Sequence, residues 1–285
     1  MTSGKPEWLH KKFIVEPNQS MVEGLLNELG LNTVCREAMC PNYQECFADK
    51  TATFMILGTN CTRNCTFCNV SSGAPPQVDP SEPERVAAAV VKLGLRYAVV
   101  TSVTRDDLLD GGAAHFAAVV RAIRASSTET AIEVLIPDFL GNYDALGIVA
   151  SANPTVISQN METVAALYSE VRPGADYRRS LVLLENIKRL NQKVRSKTGI
   201  MLGLGETRAQ VMELFDDLRG VGCELLTIGQ YLMPSKNHYQ LREYIHPDQF
   251  DEYGAIALDK GFDFVASAPF VRSSYRAGEA ILSRY

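Results

Sequence analysis

Between Thr53 and Gly229 the chain alternates short apolar runs with amphipathic stretches, and this alternation limits the fold more than any other feature. The runs Thr53–Gly58, Tyr97–Ser102, Ile132–Ile136, Thr155–Gln159, Gly199–Gly203 and Leu225–Gly229 have the length and the β-branched content of buried strands. Between them, Pro83–Leu93, Ala113–Arg124, Tyr143–Ala150, Tyr177–Leu190 and Arg208–Arg219 carry apolar residues at helical spacing. Strands joined through helices run parallel, because a parallel pair needs a long crossover connection. With 285 residues, 46% of them apolar, the chain is long enough for one large α/β domain of the barrel type.

Two flanks depart from the pattern. Pro17–Leu31 reads as a helix, with Met21, Val22, Leu25, Leu26 and Leu29 near helical spacing and Gly30 as its stop. Asn32–Lys50 has no clear period and reads as an irregular, metal-organised arm. The tail from Met233 to Tyr285 holds one more apolar run, Phe264–Ala268, and the polar segment Arg272-Ser273-Ser274-Tyr275-Arg276. This divides the chain into an N-terminal extension (1–50), the α/β core (51–232) and a C-terminal extension (233–285).

No apolar run approaches the roughly 18 residues of a membrane span. Met1–Lys12 is polar and lacks the apolar stretch of a secretory signal, so the expected compartment is the cytoplasm. The formal net charge of -5 argues against nucleic acid as a partner. In a reducing compartment, seven cysteines point to metal or catalysis rather than disulfides. Six of them fall between Cys35 and Cys68; Cys223 stands alone in an apolar segment and reads as core.

Cys61-Thr-Arg-Asn-Cys65-Thr-Phe-Cys68 follows the first strand and therefore sits in a loop at a strand C-terminus, where barrel enzymes build their sites. Three thiolates this close suit an iron–sulfur cluster. Three ligands on four irons leave one iron open for a substrate or cofactor. Cys35, Cys40 and Cys46 form a second array, C-x4-C-x5-C, again with no fourth cysteine nearby. On the residues alone, a zinc site completed by a distant group is the alternative for either array.

The C-x3-C-x2-C spacing, with Phe67 before the third cysteine and a β–α core behind it, resembles the radical SAM superfamily. Both arrays in this order resemble the lipoyl synthase family within it. The resemblance continues through Thr101–Gly112, Asn160–Thr163, Gly199–Glu206, Gly229–His238 and Val271–Ala277. It implies a partial (β/α)6 TIM-like barrel with N- and C-terminal extensions, two 4Fe–4S clusters, and S-adenosylmethionine on the open iron of the Cys61, Cys65 and Cys68 cluster. It implies insertion of two sulfur atoms at carbons 6 and 8 of a protein-bound octanoyl-lysine, with the Cys35, Cys40 and Cys46 cluster as sulfur donor and Ser274 as its fourth ligand. Phe67, Asp107, Gly111, Gly112, Asn160, Glu162 and Arg172 would hold S-adenosylmethionine. The implied partners are octanoylated carrier domains of 2-oxoacid dehydrogenases and the glycine cleavage H protein. A flavodoxin or ferredoxin reductant and an iron–sulfur carrier for repair are also implied. The chain departs from the family at Gln159, where His is usual, and at Ala268, where Gly is usual.

Read by themselves, several of these residues keep an ordinary alternative. Asp110-Gly111-Gly112 opens a helix, whose free amides favour an anion such as a carboxylate, or is a plain entry turn. Asn160 and Glu162 follow a strand and fit either a cofactor or a helix start. Arg172 fits a cofactor contact or a loop. The glycines of Gly203-Leu-Gly205-Glu206 do not match G-x-G-x-x-G, and His10, His115, His238 and His246 show no metal spacing. A different sulfur-inserting radical enzyme and a non-catalytic cluster scaffold are the competing functional readings.

Overall fold

The computed structural model describes residues 4–11, 17–49 and 52–282. The expected boundary at 50/51 falls outside them, as does Lys12. After a short 3-10 turn at Glu7–Leu9 come helix α1 (Pro17–Glu28) and strand β1 (Asn32–Thr33), which leads into helices α2 (Val34–Glu37) and α3 (Tyr43–Ala48). Strand β2 (Thr53–Ile56), helix α4 (Glu82–Leu93), β3 (Tyr97–Ser102), α5 (Ala113–Ser126), β4 (Ala131–Leu135), α6 (Tyr143–Ser151) and β5 (Val156–Ser158) follow. Then come α7 (Tyr168–Val171), α8 (Tyr177–Leu190), β6 (Arg195–Leu202), α9 (Arg208–Gly220) and β7 (Leu225–Gln230). Helix α10 (Pro247–Asp259), β8 (Phe264–Ser267) and α11 (Glu279–Leu282) complete it.

The strands form one sheet in chain order from β1 to β8. β1 pairs antiparallel with β2, and every later neighbour is parallel. The six expected strands are β2 to β7, and β8 adds one more parallel strand beside β7. Helix ends follow local chemistry. Pro83 sits in the first turn of α4 and a left-handed Gly94 (φ 65°) closes it. Thr207 and Gln210 form a capping box on α9. Among the described residues no helix is long and apolar enough to cross a membrane.

Two segments are more ordered than expected. The arm from Asn32 is not irregular: Thr33 ends β1 and caps α2, its hydroxyl accepting from Cys35 N at 3.2 Å and donating to Thr53 O at 2.8 Å. The tail contains α10, with Pro247 in its first turn and Phe250, Tyr253 and Ala257 buried on one side.

Alternation along the strands separates two environments. Ile132 and Val134 of β4 pack toward the helices, while Glu133 between them points the other way. Its carboxylate meets Lys197 Nζ of β6 at 2.9 Å through both oxygens, and Tyr97 of β3 donates to it at 2.7 Å. β4 and β6 are not neighbours, so this contact spans β5 and requires the sheet to curve around an interior. The pair is only 1% and 3% exposed at Glu133 and Lys197. Cys223 is fully buried in the outer core, as expected.

The curved sheet has two end strands, β1 and β8, and the segment after β8 runs between them. Ala268 N donates to Ile228 O at 3.1 Å, Gln230 N to Pro269 O at 3.2 Å, and Asn42 Nδ2 of the arm to Phe270 O at 2.7 Å. Farther along, Ser273 Oγ accepts from Asn160 Nδ2 at 2.9 Å, just past β5. This path needs Gly229: a Cβ there would lie 2.1 Å from Val271 O.

Removing one member of the buried pair strands the other charge. Lys197→Met should cost about 3–5 kcal/mol, and Lys197→Met with Glu133→Leu should recover much of it. Denaturant midpoints of the two variants measure this, and a single variant as stable as the parent would contradict the interior placement.

Candidate metal centres

Beyond β2 the chain leaves the sheet through Leu57 and Gly58, both left-handed at φ 68° and 97°. The cysteine loop is then closed by its own backbone: Cys61 N donates to Ser71 O at 2.8 Å and Gly73 N to Cys61 O at 3.0 Å. Thr62 N binds Thr104 O beyond β3, and Thr66 N binds Val171 O at the end of α7. Arg63 fixes the loop from inside. Its Nε and Nη2 reach Asp106 at 2.6 and 2.9 Å, and Nη2 reaches Asp138 at 2.6 Å. Asp138, fully buried, also takes Arg179 Nε at 2.8 Å. Asp106 follows β3 and Asp138 follows β4, so Cys61, Cys65 and Cys68 stand over the C-terminal ends of the strands, as expected. Two amides, Arg63 N at 3.4 Å and Thr104 N at 3.3 Å, point at Cys61 Sγ.

Burial pushes the Cys68 thiol up to about 12, and Cys65, Glu162 and Cys61 nearby add to it. Burial also raises Cys65, against the pull of the Arg172 guanidinium. Thiolates bind iron; thiols do not. Cys68 is therefore a neutral thiol when no metal is bound and gives up its proton on loading.

Asn160, Glu162 and Arg172 converge beside this loop. Asn160 Nδ2 donates to Glu162 Oε1 at 3.0 Å, and Arg172 Nη1 donates to Asn160 O and to Tyr168 OH, each at 2.6 Å. Glu162 adopts φ 66°, strained for a residue with a side chain. Burial raises its carboxyl, opposed by Arg172 and by the Asn160 hydrogen bond. Asn160 Oδ1 and Arg172 Nε are buried without a partner, an acceptor and a donor left for a polar ligand. Phe67 packs on the apolar group of Val171, Leu204 and Tyr231 at the same end.

Other expected contacts are occupied from within the chain. Asp107 is held by Arg105, with Nε and Nη2 both at 2.9 Å. At the start of α5 the carboxylate of Asp110 takes Gly112 N at 2.9 Å and Ala114 N at 2.8 Å. That helix entry is therefore capped by its own acid and offers neither amide to an external anion. Gly111 and Gly112 serve packing instead: left-handed at φ 61° and 90°, they leave room for the Phe139 ring and the Leu57 side chain. Glu206 likewise takes Gly203 N at 2.6 Å and Leu204 N at 2.9 Å. His115 is no free surface residue, since its Nε2 lies 2.7 Å from Glu82.

The second triad lies elsewhere. Cys35 is in α2, Cys46 in α3, and Cys40 between them is tied back by Cys40 N to Cys35 O at 3.1 Å. Cys35, Cys40 and Cys46 line a small cavity of about 20 Å³ together with Arg272, Ser274 and Tyr275. The two serines separate here: Ser273 bonds Asn160, and Ser274 faces the cysteines. Thr53, the first residue of β2, lines the same cavity. Ser274 thus lies beside the start of β2, while its neighbour Ser273 reaches Asn160 past the end of β5. The Tyr275 hydroxyl donates to Glu45 at 2.5 Å and pins the segment to α3. Burial pushes Cys46 up to about 12, with Cys35, Cys40 and Glu45 adding to it, and raises Cys40. Among the described residues no three His, Cys, Asp or Glu side chains gather for a single metal ion. Three thiols on one small cavity are the donor chemistry of an iron–sulfur cluster.

Sequence reasoning passed over Arg63, Asp106, Asp138 and Asn42. Only Arg63 carried a signal, as an arginine set between cysteines.

In metal-free protein, Cys46 and Cys68 should alkylate at pH 8 far more slowly than in unfolded chain. A shift from 9.0 to about 12 leaves about a thousandfold less thiolate. The rates should climb as pH rises toward 12. Mass-spectrometric mapping checks this, and equal rates folded and unfolded would contradict it.

A model of the Radical SAM superfamily matches residues 55–218. The chain is 56% identical to the lipoyl synthase of Alkaliphilus metalliredigens over 97% of this chain and 96% of that one. It is 55% identical to the lipoyl synthase of Geobacter metallireducens over 96% of each. Among solved structures it is similar to the FeFe-hydrogenase maturase HydG from Carboxydothermus hydrogenoformans. That match has a TM-score of 0.58 and 14% identity, covering 81% of this chain and 65% of HydG. It is also similar to methylornithine synthase (PylB), with a TM-score of 0.55 and 13% identity over 92% of this chain and 85% of that one. These two share the fold.

Proposed function

The chain belongs to the lipoyl synthase family, within the Radical SAM superfamily, and from this we propose that its two cysteine triads hold two clusters that divide one reaction. The reaction is sulfur insertion into an octanoyl chain carried on a lysine of a lipoyl carrier protein. Its target C–H bonds are unactivated, so acids, bases and nucleophiles at neutral pH leave them untouched.

When bound, the cluster on Cys61, Cys65 and Cys68 with S-adenosylmethionine supplies a carbon radical that removes hydrogen, and the cluster on Cys35, Cys40 and Cys46 supplies sulfur. The chain's own contribution is placement. Arg63, clamped by Asp106 and Asp138, keeps the cysteine loop in one position. Asn160 Oδ1 and Arg172 Nε are the free polar atoms for the amino-acid end or ribose of S-adenosylmethionine. Phe67 and its apolar neighbours fit the adenine and keep water away.

The single observation that carries this reading is the Asn160–Ser273 hydrogen bond. It joins the residue beside one triad to the neighbour of Ser274, which lines the cavity of the other. Ser274 is the one hydroxyl among that cavity's residues placed on the C-terminal segment beside the three thiols, apart from the Tyr275 phenol, which Glu45 engages. It is our fourth ligand. Oxygen is a harder ligand than thiolate, and reprotonation lets it leave, which suits a cluster that gives up sulfur. For the carrier we favour the lipoyl domain of 2-oxoacid dehydrogenases and the glycine cleavage H protein. Flavodoxin or ferredoxin would supply electrons and an iron–sulfur carrier would rebuild the consumed cluster, all in the cytoplasm.

Replacing Cys61, Cys65 and Cys68 by Ala should abolish 5′-deoxyadenosine formation and leave one cluster in place. Replacing Cys35, Cys40 and Cys46 by Ala should keep 5′-deoxyadenosine formation and end sulfur insertion. Anaerobic assays with octanoyl-lysyl peptide separate the two, and cofactor cleavage without the first triad would sink the assignment.

Ser274→Ala should lose lipoyl formation, Ser274→Cys should give a tighter and less reactive cluster, and both should still form 5′-deoxyadenosine. Ser273→Ala serves as the comparison, because its hydroxyl faces Asn160. Normal product from Ser274→Ala would show that this serine is not a ligand.

A further inference from the structure

Arg272 is a partly buried cation with no acid in direct contact, although its charge reaches the Glu162 carboxyl. Among the described residues its guanidinium forms no ion pair; its hydrogen bonds run from Nη1 to Val271 O at 2.6 Å and Pro269 O at 3.3 Å, both carbonyls of its own segment. A partly buried arginine normally finds a carboxylate, since desolvating a charge is costly unless it is paired. The fold nevertheless makes room for it. Gly229 has no Cβ, and one built there would stand 3.2 Å from Arg272 Nη1 as well as striking Val271 O. Among the described residues, Arg272 is also the only cationic one lining the cavity of Cys35, Cys40, Cys46 and Ser274. Another cation acting on these thiols, Lys11, is already paired with Glu45 at 2.7 Å.

The missing partner follows from the donor set. Three thiolates and a serine oxygen on a four-iron cluster leave the assembly a net anion, enclosed where water cannot screen it well. We propose that Arg272 is the counter-charge of the auxiliary cluster, and that it raises that cluster's reduction potential. The inference rests on the reading that Cys35, Cys40 and Cys46 hold that cluster. Arg272 is a positioning residue in this scheme: it binds neither substrate nor iron, and it acts through the charge it presents to the ligands. A cation beside the cluster favours the more negative, reduced state. It also offsets negative charge that remains on the site as sulfur departs.

The experiment uses full-length protein carrying Cys61→Ala, Cys65→Ala and Cys68→Ala, so that a single cluster titrates. Arg272→Gln and Arg272→Lys are made in that background, and iron, sulfide and the midpoint potential are measured anaerobically. Removing the charge should cut the reduced-to-oxidised ratio at fixed potential about tenfold. That is a shift of about 59 mV to more negative values for a one-electron couple. Arg272→Lys should restore most of it, since it keeps the charge while losing the planar fork. A cluster present in Arg272→Gln at an unmoved potential would overturn the inference, as would Arg272→Lys behaving like Arg272→Gln. If Arg272→Gln fails to hold a cluster, Arg272→Lys holding one near the parent potential supports the role of charge, and loss in both assigns Arg272 a packing role instead. Absence of any cluster with Arg272 intact would instead refute the underlying ligand reading, so the two failures are distinct.

Discussion

The whole arrangement depends on a backbone passing where a side chain would normally be. The segment after β8 has to enter the curved sheet between its two end strands, and Gly229 permits it because Val271 O occupies the place of a Cβ. Hydrogen bonds from Gln230, Asn42 and Asn160 then fix three successive points of the segment. Only with that path set do Arg272 and Ser274 reach the cavity of the second cysteine triad, although some 230 residues separate Tyr275 from Glu45. A site built this way joins the N-terminal arm, the sheet and the tail, and none of the three could form it alone.

Two electrostatic environments result. At the C-terminal ends of the strands, Arg63, Asp106, Asp138 and Arg179 form an ionic ladder that holds the cysteine loop, while Asn160 and Arg172 sit beside it with unmet polar atoms. At the second triad, burial raises the Cys40 and Cys46 thiols. In between, the interior carries the Glu133–Lys197 pair with Tyr97, a polar layer whose members satisfy one another. The charge of Arg272 reaches both the Cys40 thiol and the Glu162 carboxyl, so a single residue of the threaded segment is felt at both ends.

Much of this was legible in the sequence, and the parts that were not share physical causes. β2 to β7 and their helices follow from period alone, because each buries a continuous apolar face. α2 and α3 escaped notice because helices of four and six residues are too short to display a period, and capping by Thr33 sets their start. α10 escaped because its buried residues are few among polar ones, though Pro247 marks its first turn. The Asp110-Gly111-Gly112 turn resembles an anion site until the acid's own reach is considered, since a carboxylate two residues before an amide competes locally for it. Arg63 and Asp138 lie 75 positions apart, and no local pattern could pair them. The cysteine arrays were readable because ligand spacing is local; the choice of Ser274 over Ser273 rested on the resemblance, since no local pattern distinguishes two adjacent serines.

The most direct measurement follows the sulfur. Protein whose clusters are built with heavy-isotope sulfide, freed of loose sulfide and incubated anaerobically with octanoyl-lysyl peptide, S-adenosylmethionine and reductant, should yield lipoyl product carrying the heavy label at both positions. The iron lost should correspond to one cluster, with that on Cys61, Cys65 and Cys68 retained. Product carrying ordinary sulfur, or labelled product formed after Cys35, Cys40 and Cys46 are replaced, would contradict the division of labour between the two triads.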